Sequence, residues 1–273
     1  MRGRSKIMIL GLIAALAPVA NRVAALDPAS TDARAIMLVA LNPKSGEKSL
    51  ARMKMTIRQG AATRERVMTV RAKRGQDGRK SLVLIEQPAD VRNTGFLTVD
   101  YNARDRADEQ WLYLPALHRV SRVPRSGKSD AFVGSDFSIS DLSGQDPEDY
   151  DFKLIEQSVK VGDDDCWLIE GTPRSDAVKS ETGYIKVQSW VSKTKLIPIQ
   201  LKVWTVSDGK TKYFKASDIR QSNGIWTPYR LQMRTLQKGS VASETIVDVL
   251  SVDNDGAGVT DGDFTQQRLE RGV

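Results

Sequence analysis

The sequence predicts a mainly β protein built on one large antiparallel sheet that curls into a barrel or half-barrel, covered by a few helices. Three observations carry this. Beyond Gly46 the apolar residues alternate with polar ones, the period of a strand with one buried face. Turn signals such as Arg74-Gly75-Gln76-Asp77-Gly78, Gly162-Asp163-Asp164-Asp165, Ser207-Asp208-Gly209-Lys210 and Ser222-Asn223-Gly224 separate the alternating runs. Almost no helical pattern lies between them, which excludes parallel α/β architecture with its crossover helices. A long flat sheet would leave an apolar face and two edges bare, so it must curl or be covered.

Taken in order, the chain opens with Arg2, Arg4 and Lys6, an apolar run from Ile7 to Ala17, and Val23-Ala24-Ala25. This is the tripartite pattern of a cleavable signal peptide over residues 1–25. Eleven apolar residues are short for a bilayer span, and Leu26, not Cys, follows the cleavage site. Asp27-Pro28 and Asp32 predict the start of a helix over residues 28–41, whose stripe is Ala35, Ile36, Val39 and Ala40 and whose end is Asn42-Pro43. Clean alternation follows at Met53, Met55 and Ile57, then at Ile197, Ile199, Leu201 and Val203, then at Ile225, Thr227, Tyr229, Leu231 and Met233. Less regular strands are expected over 64–72, 80–87, 95–101, 110–114, 118–123, 150–156, 165–170, 183–191, 211–219 and 241–252. Residues 124–149 break the pattern and read as a long ordered loop with a short helical turn, the kind of loop that often carries function. A short helix at 265–271 ends the chain. Without a composition break, residues 26–273 read as one domain.

Composition narrows the chemistry. The 273 residues hold 41 Lys and Arg against 34 Asp and Glu, with one His and one Cys. A single Cys excludes an internal disulfide, and one Cys with one His excludes a Cys/His zinc site. Loss of residues 1–25 lowers the net charge from +7 to +3. No concentrated basic stripe with interleaved aromatics remains, so nucleic acid is not an expected partner.

The chemical motifs have plain readings. Gly134-Ser135-Asp136-Phe137-Ser138 is not a G-x-S-x-G elbow, and His118 is the only imidazole that could act as a base. No catalytic residue is expected: Asp136 and Asp141 cap turns, and Phe132 and Phe137 anchor the loop. Asp253-Asn254-Asp255-Gly256 and Asp261-Gly262-Asp263 lack the EF-hand spacing and its bidentate Glu, so no metal is expected. Cys166, beside Trp167, reads as a small buried hydrophobe, and no cofactor motif is present.

Glu86-Gln87-Pro88-Ala89-Asp90-Val91, Thr94-Gly95-Phe96-Leu97, Gln110-Trp111-Leu112-Tyr113-Leu114-Pro115 and Phe132-Val133-Gly134-Ser135-Asp136-Phe137-Ser138 follow one another in order. This set resembles the LolA-like outer-membrane lipoprotein-sorting family, in the branch associated with RND-type exporters. The resemblance spans about Ile36 to Glu270. It implies an incomplete β-barrel, a helical lid, and an apolar cavity for acyl chains, working in the periplasm. On that basis Met53, Met55, Ile57, Trp111, Tyr113, Phe132, Phe137, Ile199, Leu201 and Val203 are the expected cavity lining, with Ile197 beside them. The implied partners are lipid or lipoprotein acyl chains and an inner-membrane RND-type exporter. The function expected is a periplasmic carrier; the alternative is a lipid-sensing adaptor that docks a membrane partner without moving cargo.

Overall fold

The computed structural model describes residues 26–273 apart from 43–45, 104, 145, 208 and 223. The expected signal peptide lies outside the described residues. Six strands come first: β1 (Lys48–Gln59), β2 (Ala62–Gly75), β3 (Gly78–Gln87), β4 (Gly95–Tyr101), β5 (Glu109–Leu114) and β6 (Arg119–Arg122). Seven follow: β7 (Tyr150–Val161), β8 (Asp164–Pro173), β9 (Tyr184–Ser192), β10 (Pro198–Thr205), β11 (Lys210–Ser222), β12 (Ile225–Gln237) and β13 (Ser240–Asp253). All thirteen join one sheet in the order β6-β5-β4-β3-β2-β1-β13-β12-β11-β10-β9-β8-β7.

The connectivity explains the irregular segment at 124–149. From the middle of the sheet the chain meanders out to β6, one free edge. It crosses to β7, the other free edge, and meanders back until β13 pairs with β1. Every neighbouring pair is antiparallel, and the open edges β6 and β7 make the barrel incomplete. Tight turns join many of the consecutive strands, as at Gly239, whose φ of 83° suits a residue without Cβ.

Register sorts the side chains into two faces, because directly paired residues point the same way. One row runs Leu201, Phe214, Met233, Thr245, Ile57 across β10, β11, β12, β13 and β1. The next runs Ala216, Leu231, Val247, Met55. These form the inner face and the main core, together with Met53, Met68, Val70, Val83 and Phe96. On the outer face of β3 to β5, Leu82, Leu84 and Leu97 are covered by Val259, Phe264 and Leu269 from the chain's end.

Among the described residues four short helices complete the fold: α1 (Ala33–Ala40), α2 (Ile139–Ser143), α3 (Asp176–Thr182) and α4 (Gln266–Arg271). Helix α1 begins later than the sequence predicts. Asp27 closes a turn instead, accepting from the Ala29 N–H at 2.8 Å, and Asp32 is the N-cap, accepting from the Ala35 N–H at 3.0 Å. Ile36 and Met37 then pack on Trp167, Ile169 and Val191. Helix α3 is absent from the sequence reading, although Ser175 as N-cap and Gly183 in the left-handed region frame it.

Candidate functional site

The inner face is the largest apolar surface of the sheet, and the chain covers it with its own crossing segment. Phe132, Phe137, Ile139 and Leu142 pack into one cluster with Met53, Met55, Ile57, Leu201, Val203, Phe214, Leu231 and Met233. Met55 and Phe137 are 0% exposed and Leu201 8%. The cavity expected there is thus occupied by the protein's own side chains. The cover is irregular: two 3-10 turns at Arg125–Gly127 and Phe132–Gly134, the five-residue helix α2, and a third turn at Pro147–Asp149.

Polar contacts pin this segment in place. Asp136 is buried, and its carboxylate accepts from the hydroxyls of Thr235 (2.5 Å), Thr245 (2.6 Å) and Ser243. Its backbone carbonyl accepts from Lys212 Nζ at 2.7 Å, and its N–H donates to Thr245 Oγ1 at 2.9 Å. Asp136 therefore caps no turn, contrary to the sequence expectation: it bridges the loop to β11, β12 and β13. Asp141 does cap, forming a reciprocal box with Ser138 at the start of α2. It also accepts from Tyr184 Oη at 2.7 and 2.9 Å. Burial first, then the neighbouring Asp141 charge, pushes the Tyr184 phenol well above its ordinary value. Lys128 and Glu181 tie the segment to α3. Beside this tie opens a cleft of about 550 Å³, bounded by Arg122, Pro124 and Arg125 on one side and Val178 and Glu181 on the other.

The expected lining residues separate into three places. Met53, Met55, Ile57, Phe132, Phe137, Leu201 and Val203 meet in the inner cluster. Ile199 does not join Leu201: a register shift between Pro198 and Gln200 interrupts the alternation. Ile199 instead packs with Ile197 and Cys166. Burial lifts the Cys166 thiol to about 11. Trp111 and Tyr113 lie on the outer face, where Trp111 pairs with Leu97; from β5 it is Leu112 that reaches the inner cluster.

His118 is exposed and closes the β5–β6 hairpin with a φ of 45° rather than lying on a strand. Ser135 is buried, and its hydroxyl donates to the Phe137 carbonyl at 3.3 Å. Asp253 spends its carboxylate on the N–H groups of Asp255 and Ala257. Among the described residues no group of three His, Cys, Asp or Glu could hold a metal ion. What the site offers chemically is apolar area, an irregular cover and a few polar contacts that pin it.

A family model described as uncharacterized protein-like matches residues 77–271. No curated protein matches. Solved structures do. A domain described as an outer membrane lipoprotein-sorting protein, from Vibrio parahaemolyticus, is similar at a TM-score of 0.73 and 28% identity, over 82% of this chain and 92% of that one. A DUF1329 family protein from Desulfovibrio piger is similar at a TM-score of 0.76 and 28% identity, over 87% and 97%. A LolA superfamily protein from Nitrosomonas europaea shares the fold at a TM-score of 0.64 and 20% identity, over 86% and 98%.

Proposed function

The chain belongs to the LolA-like outer-membrane lipoprotein-sorting family, and from that premise we propose that it is a periplasmic carrier of lipid or lipoprotein acyl chains. One observation supports this above the others: the apolar inner face is covered by an irregular segment that packs four apolar side chains onto it and is pinned by a few polar contacts. An acyl chain would take the place of Phe132, Phe137, Ile139 and Leu142, entering beside the cleft next to α3.

The magnitudes make such an exchange workable. Burying four large apolar side chains is worth on the order of 6–12 kcal/mol, at about 1.5–3 kcal/mol each. A chain of about sixteen carbons gains roughly 13 kcal/mol, at about 0.8 kcal/mol per CH₂. Because the two nearly balance, the net affinity is a small difference, and a carrier that must release its load needs that. Delivery to the outer membrane or to an inner-membrane RND-type exporter is the corresponding role, after export and cleavage before Leu26.

The filled inner face also favours a second reading, an adaptor that docks a membrane partner with its core permanently closed. Native mass spectrometry of protein isolated from periplasm without detergent separates the two. The carrier reading expects a co-purified acyl lipid and a mature N-terminus at Leu26; consistently empty protein supports the adaptor.

A further inference from the structure

The inner face changes character along its strands. One row of paired residues across β1 to β5, Ala51, Val70, Val83, Phe96 and Leu112, is apolar and belongs to the main core. Two residues along each strand, the row on the same face is Ser49, Ala72, Ser81, Thr98 and Gln110. The two rows lie about 7 Å apart, at roughly 3.4 Å per residue. All five side chains of the second row are buried, and the hydroxyls of Ser81 and Thr98 share a hydrogen bond of 2.7 Å. One row further on, Arg74, Arg79 and Asp100 are ionic. Polarity therefore rises in steps, from hydrocarbon to hydroxyl and amide to charge.

Gln110 stands out in the middle row. It is 2% exposed, and neither amide atom, Nε2 or Oε1, meets a hydrogen-bond partner among the described residues. Buried side-chain amides are nearly always paired, because an unmet donor and acceptor have lost their hydration with nothing in return. Leu or Met would fill the place without that cost, so the amide points to something other than packing. Its surroundings point to a ligand. Thr98, opposite Gln110, follows Phe96 by two residues on the same face, and the Phe96 ring lies 5.8 Å from that of Phe132, which an acyl chain would replace. The Gln110 backbone carbonyl accepts from the Val123 N–H at 2.8 Å, and Val123 and Asp108 line the cleft beside α3. Gln110 thus stands between the cleft and the apolar cluster.

We propose that Gln110 receives the linkage at the head of the cargo's acyl chain and selects an amide-linked chain over an ester-linked one, an assignment that rests on the carrier reading. A secondary amide offers a carbonyl to accept from Nε2 and an N–H to donate to Oε1, so both atoms are satisfied at once. An ester offers only the carbonyl and leaves Oε1 unmet; a bare hydrocarbon leaves both unmet. A site whose buried polar groups are left unpaired by the wrong ligand discriminates against it. The ligand class is an N-acyl amide, with its chain on the apolar row and its amide at Gln110.

The test is displacement of a fluorescent fatty acid from the mature protein by N-methyllauramide and by methyl laurate, which carry the same chain and differ in the linkage alone. N-methyllauramide should bind at least about tenfold tighter, the effect of one added hydrogen bond and one acceptor no longer left unmet. Gln110→Leu should bring the two probes within about twofold of each other. Gln110→Met repeats the comparison with an unbranched side chain, and urea unfolding checks that each variant folds. In the unsubstituted protein the Gln110 side-chain NH₂ signals should move on saturation with N-methyllauramide, a readout that needs no variant. Equal affinity for the two probes, no displacement by either, an amide preference that survives both substitutions, or unmoved Gln110 signals would overturn the assignment and leave the carrier reading standing. No saturable binding of the fluorescent fatty acid would remove the carrier reading and this assignment with it.

Discussion

Replacing Asp136 by Ala removes the acceptor of three hydroxyls inside the protein, those of Thr235, Ser243 and Thr245. A hydrogen bond to a charged group contributes about 1.5–3 kcal/mol, so the three together give an upper bound of about 9 kcal/mol. The carboxylate itself lost its hydration to sit there, which costs several kcal/mol. The expected net loss is therefore about 3 kcal/mol, in the range seen when a buried polar network is broken. Asp136→Asn keeps the shape and one acceptor oxygen and should lose about half as much. Urea unfolding at neutral pH measures both. Amide exchange supplies a second readout: amides from Phe132 to Ser138 should exchange faster in Asp136→Ala while those of β12 keep their protection. A loss below about 0.5 kcal/mol for Asp136→Ala, with unchanged exchange in the segment, would refute the idea that this carboxylate fastens the cover.

Three further outcomes follow from the same geometry. Leu201→Glu places a charge on the inner face, where it must be desolvated or neutralised; it should weaken binding of a fluorescent fatty acid at least about tenfold, whereas Lys202→Glu on the other face should not, and equal effects would contradict the assigned faces. Tyr184→Phe should cost about 1–3 kcal/mol and reduce the alkaline loss of stability. The folded phenol is raised above the unfolded value near 10, so its contribution is complete below pH ~10 and fades as pH climbs beyond it; an unchanged alkaline profile would count against this. Cys166, buried with its thiol at about 11, should resist iodoacetamide at pH 8 in folded protein and react once urea unfolds it, which mass spectrometry of the labelled chain reads directly.

Much of the sheet was legible because alternation is a local signal. Met53, Met55 and Ile57 share a face whatever the rest of the chain does, and the turn residues mark where strands end. Which face becomes the inner one is not local. In Gln110-Trp111-Leu112-Tyr113 the pattern allows either set to point inward, and pairing with β4 decides it, through Leu112 opposite Phe96 and Trp111 opposite Leu97. Ile199 was lost to a register shift beside Pro198, a residue that cannot donate to the ladder. The hub at Asp136 was illegible for a different reason: its partners lie 99 to 109 residues away, and Thr235, Ser243 and Thr245 look like ordinary polar strand residues. The sequence marked residues 124–149 as exceptional but could not tell a loop that lies beside the barrel from one that fills it.

The central claim is that an acyl chain and the crossing segment compete for one apolar face. Hydrogen exchange of residues 130–143, measured with and without a saturating fluorescent fatty acid, tests it most directly. The account predicts saturable binding with deprotection of Phe132, Phe137 and Leu142 amides while the β1 and β12 amides stay protected. Binding that leaves the segment's protection unchanged, or no saturable binding at all, would contradict it.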